Sequence, residues 1–147
     1  MKQTLPPTYL LTSLILLAGL WALLPGPRII EAPWNLLGVE LGVLGVGLNL
    51  VGNRQFQKAK TAMNPFGQPR VLVTTGVFRH SRNPMYLGMV LLVLGIAILL
   101  GRATPFVAPA LLWIALKYRL IPQEERTMSE RFGKEYIRYR TRVRRWI

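Results

Sequence analysis

Residues 83–100 read Asn-Pro-Met-Tyr-Leu-Gly-Met-Val-Leu-Leu-Val-Leu-Gly-Ile-Ala-Ile-Leu-Leu and contain no charged side chain. Asparagine is a favoured N-cap and proline fits the first helical turn, so this run predicts a helix that begins at Pro84. A bilayer is crossed by about 20 apolar residues, with a range of about 17–25. The run is therefore typical of a short membrane-spanning helix.

Three further apolar runs accompany it, and together they predict membrane spans at residues 9–24, 34–51, 84–100 and 105–121. Pro122 is expected to end the fourth span and to start an amphipathic helix at residues 123–140, lying in the membrane interface. The predicted fold class is all-α. We expect a single polytopic membrane domain over residues 1–147, with about four transmembrane helices and a C-terminal cytoplasmic interfacial helix.

The composition excludes several classes of protein. The 147 residues are 51% hydrophobic and have no cysteine, which rules out a disulfide framework, a thiolate nucleophile and a zinc–cysteine site. One histidine and no aspartate leave few metal ligands, so no metal site is expected. The net charge of +13 would suit a nucleic-acid binder, but the long uncharged runs are typical of a membrane protein, and no nucleic-acid partner is expected.

The basic residues predict the orientation in the membrane. Residues 53–83 carry six Lys or Arg and no acid, and residues 117–147 carry ten against four Glu. The positive-inside rule places both segments, and with them both termini, in the cytoplasm. We therefore expect an inner or plasma membrane protein whose oligomeric state the sequence leaves open.

The pair Gly38 and Gly42 is expected to pack helices within one chain.

Two polar clusters lie at the predicted cytoplasmic ends of the third and fourth spans. Arg79, His80 and Arg82 come just before a helix start, where free backbone N–H groups and the helix dipole attract anions. Glu124 and Glu125 follow the fourth span. A capped helix with snorkelling arginines and acids in a first turn would account for the same residues without any function. If the clusters face each other, they would suit a zwitterionic ligand.

The order and spacing of these motifs resemble the isoprenylcysteine carboxyl methyltransferase and phospholipid methyltransferase superfamily over roughly residues 65–145. The matching segments are residues 72–78, residues 81–88, Glu124-Glu125, residues 132–136, Tyr139, Val143 and Arg145. The resemblance implies S-adenosylmethionine as cofactor, bound by membrane helices and not by a Rossmann domain. It also implies a lipophilic methyl acceptor that comes from the bilayer.

The resemblance, read together with the charges, implies a set of site residues. The cofactor's α-amino group would pair with Glu124 or Glu125, and its carboxylate would accept hydrogen bonds from Arg82 and Asn83. Arg119 and Glu124 are the candidate catalytic residues. Asn83 stands where many family members have histidine, and an amide cannot act as a general base. The expected cofactor contacts are Arg70, Val71, Leu72, Val73, Phe78, Arg82, Asn83, Pro84, Met85, Tyr86, Glu124 and Glu125.

Two other functions remain open from the residues alone. Membrane sterol reductases share a similar C-terminal architecture and use NADPH, although they are much longer. A non-catalytic scaffold could bind anionic lipid through its basic interfacial helix. The methyl acceptor also stays open, since a lipid headgroup, carboxylate, amine or thiol would each be compatible with the motifs.

Overall fold

A computed structural model of the protein describes residues 5–61 and 70–147, so the start of the resemblance at residues 65–69 lies outside the described part. The described ranges contain no strand, which confirms the all-α fold class. Their helices are α1 (Pro6–Leu23), α2 (Leu37–Lys58), α3 (Pro84–Leu100), α4 (Val107–Ala115), α5 (Ile121–Phe132) and α6 (Lys134–Arg142).

Several of the helices are long and apolar enough to be membrane spans. Among the described residues, Pro6–Leu23, Trp34–Lys58 and Thr104–Phe132 are helical stretches long and apolar enough to cross a membrane. Helix α3 is also apolar but has only 17 residues. Its side chains Val93 and Ala97 are completely buried with Leu112 and Leu116 of the neighbouring stretch, so α3 lies in the centre of the bundle.

Helices α2 and α3 approach each other so closely that glycines take the place of side chains along their contact. A Cβ atom on Gly45 would lie 2.6 Å from the carbonyl oxygen of Gly88, and a Cβ atom on Gly95 would lie 2.7 Å from the backbone nitrogen of Gly42. Either distance is too short for carbon, so the backbones can meet only because these side chains are absent. The close contacts recur every seven residues, at Gly38 and Gly45 on α2 and at Gly88 and Gly95 on α3. We call this contact the glycine seam.

The helix that contains the predicted fourth span does not end at Pro122, as the sequence predicted. A π-helical turn at Leu116–Leu120 joins α4 to α5, and the N–H of Ile121 donates to the carbonyl of Leu116, five residues earlier. Proline lacks an N–H and its ring clashes with the carbonyl four residues before it in an α-helix. The wider turn accommodates Pro122, so the chain continues as one helical stretch from Thr104 to Phe132.

The prediction of a single helix at residues 123–140 is wrong, because two helices occupy this part of the chain. Helix α5 ends at Phe132 and α6 begins at Lys134, with Gly133 between them at φ 49° and ψ −122°. Glycine adopts this conformation readily, whereas a residue with a Cβ atom would be strained there. The break redirects α6, which packs Tyr136 and Tyr139 against the segment that precedes α3.

Candidate functional site

Two adjoining cavities meet at the beginning of α3. The larger cavity has a volume of about 270 Å³ and the smaller one about 50 Å³. Phe56, Phe78, Arg82, Asn83 and Glu124 line both of them, so the two cavities share a wall. The start of α1 and the first turns of α3 complete the larger cavity, while α5, α6 and residues 71–73 enclose the smaller one.

Asn83 and Pro84 place the start of α3 at the larger cavity. The helix begins at Pro84 as predicted, and Asn83 occupies the N-cap position. The expected side-chain cap is absent, however, because the Nδ2 atom of Asn83 donates to the backbone carbonyl of Arg145 at 2.9 Å. The first helical turn, with Met85 and Tyr86, therefore faces the cavity without a side-chain cap.

Glu125 is bound by two arginines. Its Oε1 atom lies 3.1 Å from Nη1 of Arg82, and its two oxygens accept hydrogen bonds of 3.1 Å and 2.8 Å from the guanidinium of Arg145. The hydrogen bond to Glu125 raises the pKa of the Arg145 guanidinium, which therefore stays charged. A carboxylate held in this way is already neutralised, so Glu125 is less suited than its neighbour to receive a cationic group from a ligand.

Glu124 lies at the junction of the two cavities. Its Oε2 atom is buried and has no hydrogen-bond partner among the described residues, and the same is true of Nε of Arg82. Buried polar atoms in proteins nearly always have a partner, since an unpaired one costs free energy. A polar ligand with both donor and acceptor groups would satisfy these two atoms.

Aromatic residues form the rest of the shared wall. The rings of Phe56 and Phe78 meet edge to face, with centroids 5.3 Å apart and planes at 78°. The hydroxyl of Tyr139 donates to the carbonyl oxygen of Phe78 at 2.7 Å, which ties α6 to the segment before α3. Burial raises the pKa of Tyr139, so its hydroxyl remains a protonated donor at neutral pH. Burial also raises the pKa of Tyr136, whose hydroxyl accepts from Nη1 of Arg82 at 3.4 Å.

The C-terminal segment is bound to the residues that precede α3 and to α4. The carbonyl of Arg144 accepts a hydrogen bond of 3.0 Å from the backbone N–H of Arg82, and the carbonyl of Arg145 accepts the bond from Asn83 already described. Trp146 stacks on Trp113 of α4, with ring centroids 6.4 Å apart. We call residues 144–146 the C-terminal strap, because they fasten the end of the chain over the beginning of α3.

Most residues predicted for the cofactor line these cavities. Those lining the larger cavity are Phe78, Arg82, Asn83, Pro84, Met85, Tyr86 and Glu124. Those lining the smaller one are Val71, Leu72, Val73, Phe78, Arg82, Asn83, Glu124 and Glu125. Arg70 and Arg119 are exposed and line neither cavity, so the fold does not bring Arg119 to Glu124.

Several lining residues were missed by the sequence reading. Phe56 lines both cavities, Met89 lines the larger one, and Leu5, Pro6 and Pro7 supply its α1 side. Phe56 had a detectable signal, since it is a lone aromatic residue in the polar last turns of α2. The α1 residues had none, because only tertiary packing brings them to α3.

Comparison with known proteins agrees with this architecture. A family described as phospholipid methyltransferase matches residues 34–135. An uncharacterised protein of Haemophilus influenzae is 32% identical over 63 residues, which is 43% of this chain and 100% of that protein. No solved structure matches the chain. The family match covers more than half of the sequence and includes α2 to α5, which confirms the resemblance read from the motifs: the chain belongs to the phospholipid methyltransferase family of membrane methyltransferases.

Proposed function

We propose that the protein transfers a methyl group from S-adenosylmethionine to a lipophilic acceptor, at the cytoplasmic face of the membrane. The observation that carries this proposal is the buried, unpartnered carboxylate oxygen of Glu124 at the junction of the two cavities. The cytoplasmic placement rests on the basic residues of 53–83 and 117–147, which follow the positive-inside rule.

The lining residues fit the chemical groups of this cofactor. Its α-amino group would pair with Glu124, and its carboxylate would accept from Nε of Arg82 and from backbone N–H groups in the first turn of α3. Phe56 and Phe78 offer aromatic surface for the adenine. The cavities of about 270 and 50 Å³ together are near the lower end of the usual range for ligand pockets, roughly 300–1,000 Å³.

The protein's part in such a reaction is alignment. When bound, the cofactor would supply a sulfonium-activated methyl carbon to the acceptor nucleophile, and the electron pair of the C–S bond would remain on sulfur. Fixing donor and acceptor in line can lower a barrier by about 7–11 kcal/mol. Glu124 and Arg82 would hold the donor, while apolar side chains would hold the acceptor and exclude water.

The larger cavity supports a lipophilic acceptor. Leu5 and Pro6 of the α1 side, together with Met85 and Met89 of α3, give it mainly apolar walls next to the bilayer. Neither cavity is lined by histidine, and Asn83 cannot titrate. The acceptor would therefore arrive deprotonated or lose its proton to water.

The experiment is a calorimetric titration of detergent-purified protein with S-adenosylmethionine, followed by transfer of its radiolabelled methyl group into a total lipid extract. We expect binding by the native protein and a strong loss in Glu124→Gln. The matched control is Glu130→Gln, which removes one exposed charge from the same helix.

Three results would contradict the proposal. One is no measurable binding by the native protein, and another is equal affinity in Glu124→Gln and Glu130→Gln. The third is binding of NADPH in place of S-adenosylmethionine, which would favour a reductase.

A further inference from the structure

A polar groove lies next to the candidate site, with Tyr139 as the wall between them. The groove has a volume of about 410 Å³, and its lining includes Thr74, Arg79, Glu135, Arg138 and Arg142. Tyr139 lines both this groove and the smaller cavity. The groove is thus separate from the Glu124 and Arg82 contacts but shares one side chain with them.

The groove has an excess of positive charge. Three arginines face one glutamate there, and the salt bridges of the described residues, both made by Glu125, do not include any of the four. Arg138 and Arg142 are four residues apart on α6, a spacing at which like charges repel each other on a helix surface. Arg79 adds a third positive charge from a different segment, at the end of the turn Gly76–Arg79. An anion bound among them would relieve this repulsion.

Guanidinium groups are particularly suited to phosphate. Their planar N–H pairs match two phosphate oxygens at once, and each such hydrogen bond is strengthened by charge. The hydroxyl of Thr74, which is half-buried in the groove, provides a further donor. The volume of the groove allows a phosphate group together with part of the molecule that bears it.

We propose that this groove binds a phosphate group, the chemistry shared by anionic phospholipid headgroups and free phosphate. Binding would link Arg79 of the turn to Arg138 and Arg142 of α6. The same two segments are joined by the hydrogen bond from Tyr139 to Phe78 and enclose the smaller cavity. Phosphate binding therefore stabilises the packing of α6 against the turn Gly76–Arg79, and under the proposed function it raises the affinity for the methyl donor.

The test measures Tm of the full chain in nanodiscs. One arm compares a neutral galactolipid, which carries no phosphate, with a mixture containing phosphatidylglycerol. The other titrates inorganic phosphate into the neutral galactolipid nanodiscs at constant ionic strength. We expect Tm to rise in at least one arm. Stabilisation by phosphatidylglycerol alone would identify a lipid headgroup as the source, and stabilisation by inorganic phosphate would show that free phosphate suffices.

Substitutions distinguish phosphate binding in this groove from a general effect of the positive charge of α6. Arg138→Gln and Arg142→Gln should each weaken the apparent affinity by about tenfold or more, because each removes charge-assisted hydrogen bonds. Arg140→Gln is the matched control, since it removes the same charge from the same helix at a residue that does not line the groove. The proposal is overturned if neither arm raises Tm, or if Arg140→Gln loses the effect as much as Arg138→Gln. Because Tm does not require methyl transfer, this result is independent of the proposed function.

Discussion

Arg145 and Glu125 lie 20 residues apart in the sequence and are joined by two hydrogen bonds, of 3.1 Å and 2.8 Å. Together with Arg82, this pair fixes the C-terminal strap to α5 and to the start of α3. The two adjacent glutamates therefore differ in their surroundings. Glu125 is held by arginines of its own chain, and Glu124 has an oxygen free for a ligand.

Arg145→Gln should lower the free energy of unfolding by about 1–2 kcal/mol. Hydrogen bonds to charged groups contribute about 1.5–3 kcal/mol, and the side chain of Arg145 is 34% exposed, so water screens part of the interaction. Arg145→Lys should recover only some of the loss, because lysine keeps the charge but cannot form the double contact. Chemical unfolding in detergent measures the free energy of unfolding of both variants. The control is Arg144→Gln, because Arg144 is an exposed neighbouring residue. An equal loss in Arg144→Gln would contradict the role of the pair.

Glu124→Gln and Glu125→Gln should have different effects. Glu124→Gln should weaken S-adenosylmethionine binding by roughly tenfold to a hundredfold without lowering stability, since a carboxylate with one buried, unpartnered oxygen costs more to bury than an amide. Glu125→Gln should lower stability, because it leaves Arg82 and Arg145 without their shared counter-charge. Calorimetric titration and thermal unfolding of both variants distinguish the roles. The assignment fails if the two variants behave alike.

Asn83→Ala should weaken cofactor binding and also loosen the C-terminal strap. The substitution removes the 2.9 Å hydrogen bond to the carbonyl of Arg145, which contributes about 0.5–1.5 kcal/mol to stability. Limited proteolysis should then cleave the C-terminal end of the chain faster than in the native protein. Unchanged proteolysis together with unchanged cofactor affinity would remove Asn83 from the site.

Gly45→Ala should destabilise the helix bundle by about 1–3 kcal/mol or more, because the new Cβ atom would meet the backbone of α3 at 2.6 Å. Gly47→Ala is a matched control two residues away on the same helix, where nothing lies within 4 Å of an added Cβ atom. Alanine favours helix over glycine by about 0.5–1 kcal/mol, so this variant should be as stable as the native protein or more so. Thermal unfolding in detergent compares them, and similar values for the two would show that the glycine seam tolerates side chains.

Tyr139→Phe should cost about 1–2 kcal/mol, because it leaves the carbonyl of Phe78 without its 2.7 Å donor. Burial raises the pKa of the Tyr139 hydroxyl above the value of about 10 in an unfolded chain. The hydrogen bond should therefore stabilise the fold fully below pH ~10 and be lost as pH rises through the higher folded-state pKa. The free energy of unfolding should be measured from pH 7 to alkaline pH for the native protein and for Tyr139→Phe. The difference between them should decrease only at the alkaline end of this range. A loss near neutral pH would contradict this.

A local signal, the Asn83-Pro84 pair, was enough to predict the start of α3. The resemblance to a known family supplied most of the other residues that line the two cavities, and their role in binding a cofactor stays a prediction. The helix bounds after α4 were not predictable in this way. Pro122 normally marks a helix start, but a π-helical turn before it allowed the helix to continue.

The break at Gly133 and the long-range contacts of Arg145 could not be predicted from the sequence either. The break at Gly133 depends on one backbone conformation that a helical pattern of side chains conceals. Nothing in the sequence around Arg145 indicates that its guanidinium meets Glu125 or that its carbonyl receives Asn83. Which residues form such pairs depends on how the helices pack. The sequence alone shows only how far apart the residues lie along the chain.

Under the proposed function, the glycine seam would also limit the routes by which a lipophilic acceptor reaches the larger cavity. The backbones of α2 and α3 touch along this contact, so no side chain there could rotate to open a passage between the two helices. The larger cavity has another boundary, made by Leu5, Pro6 and Pro7 at the tip of α1. If the acceptor comes from the bilayer, as proposed above, we expect these three residues to border its entrance to the larger cavity.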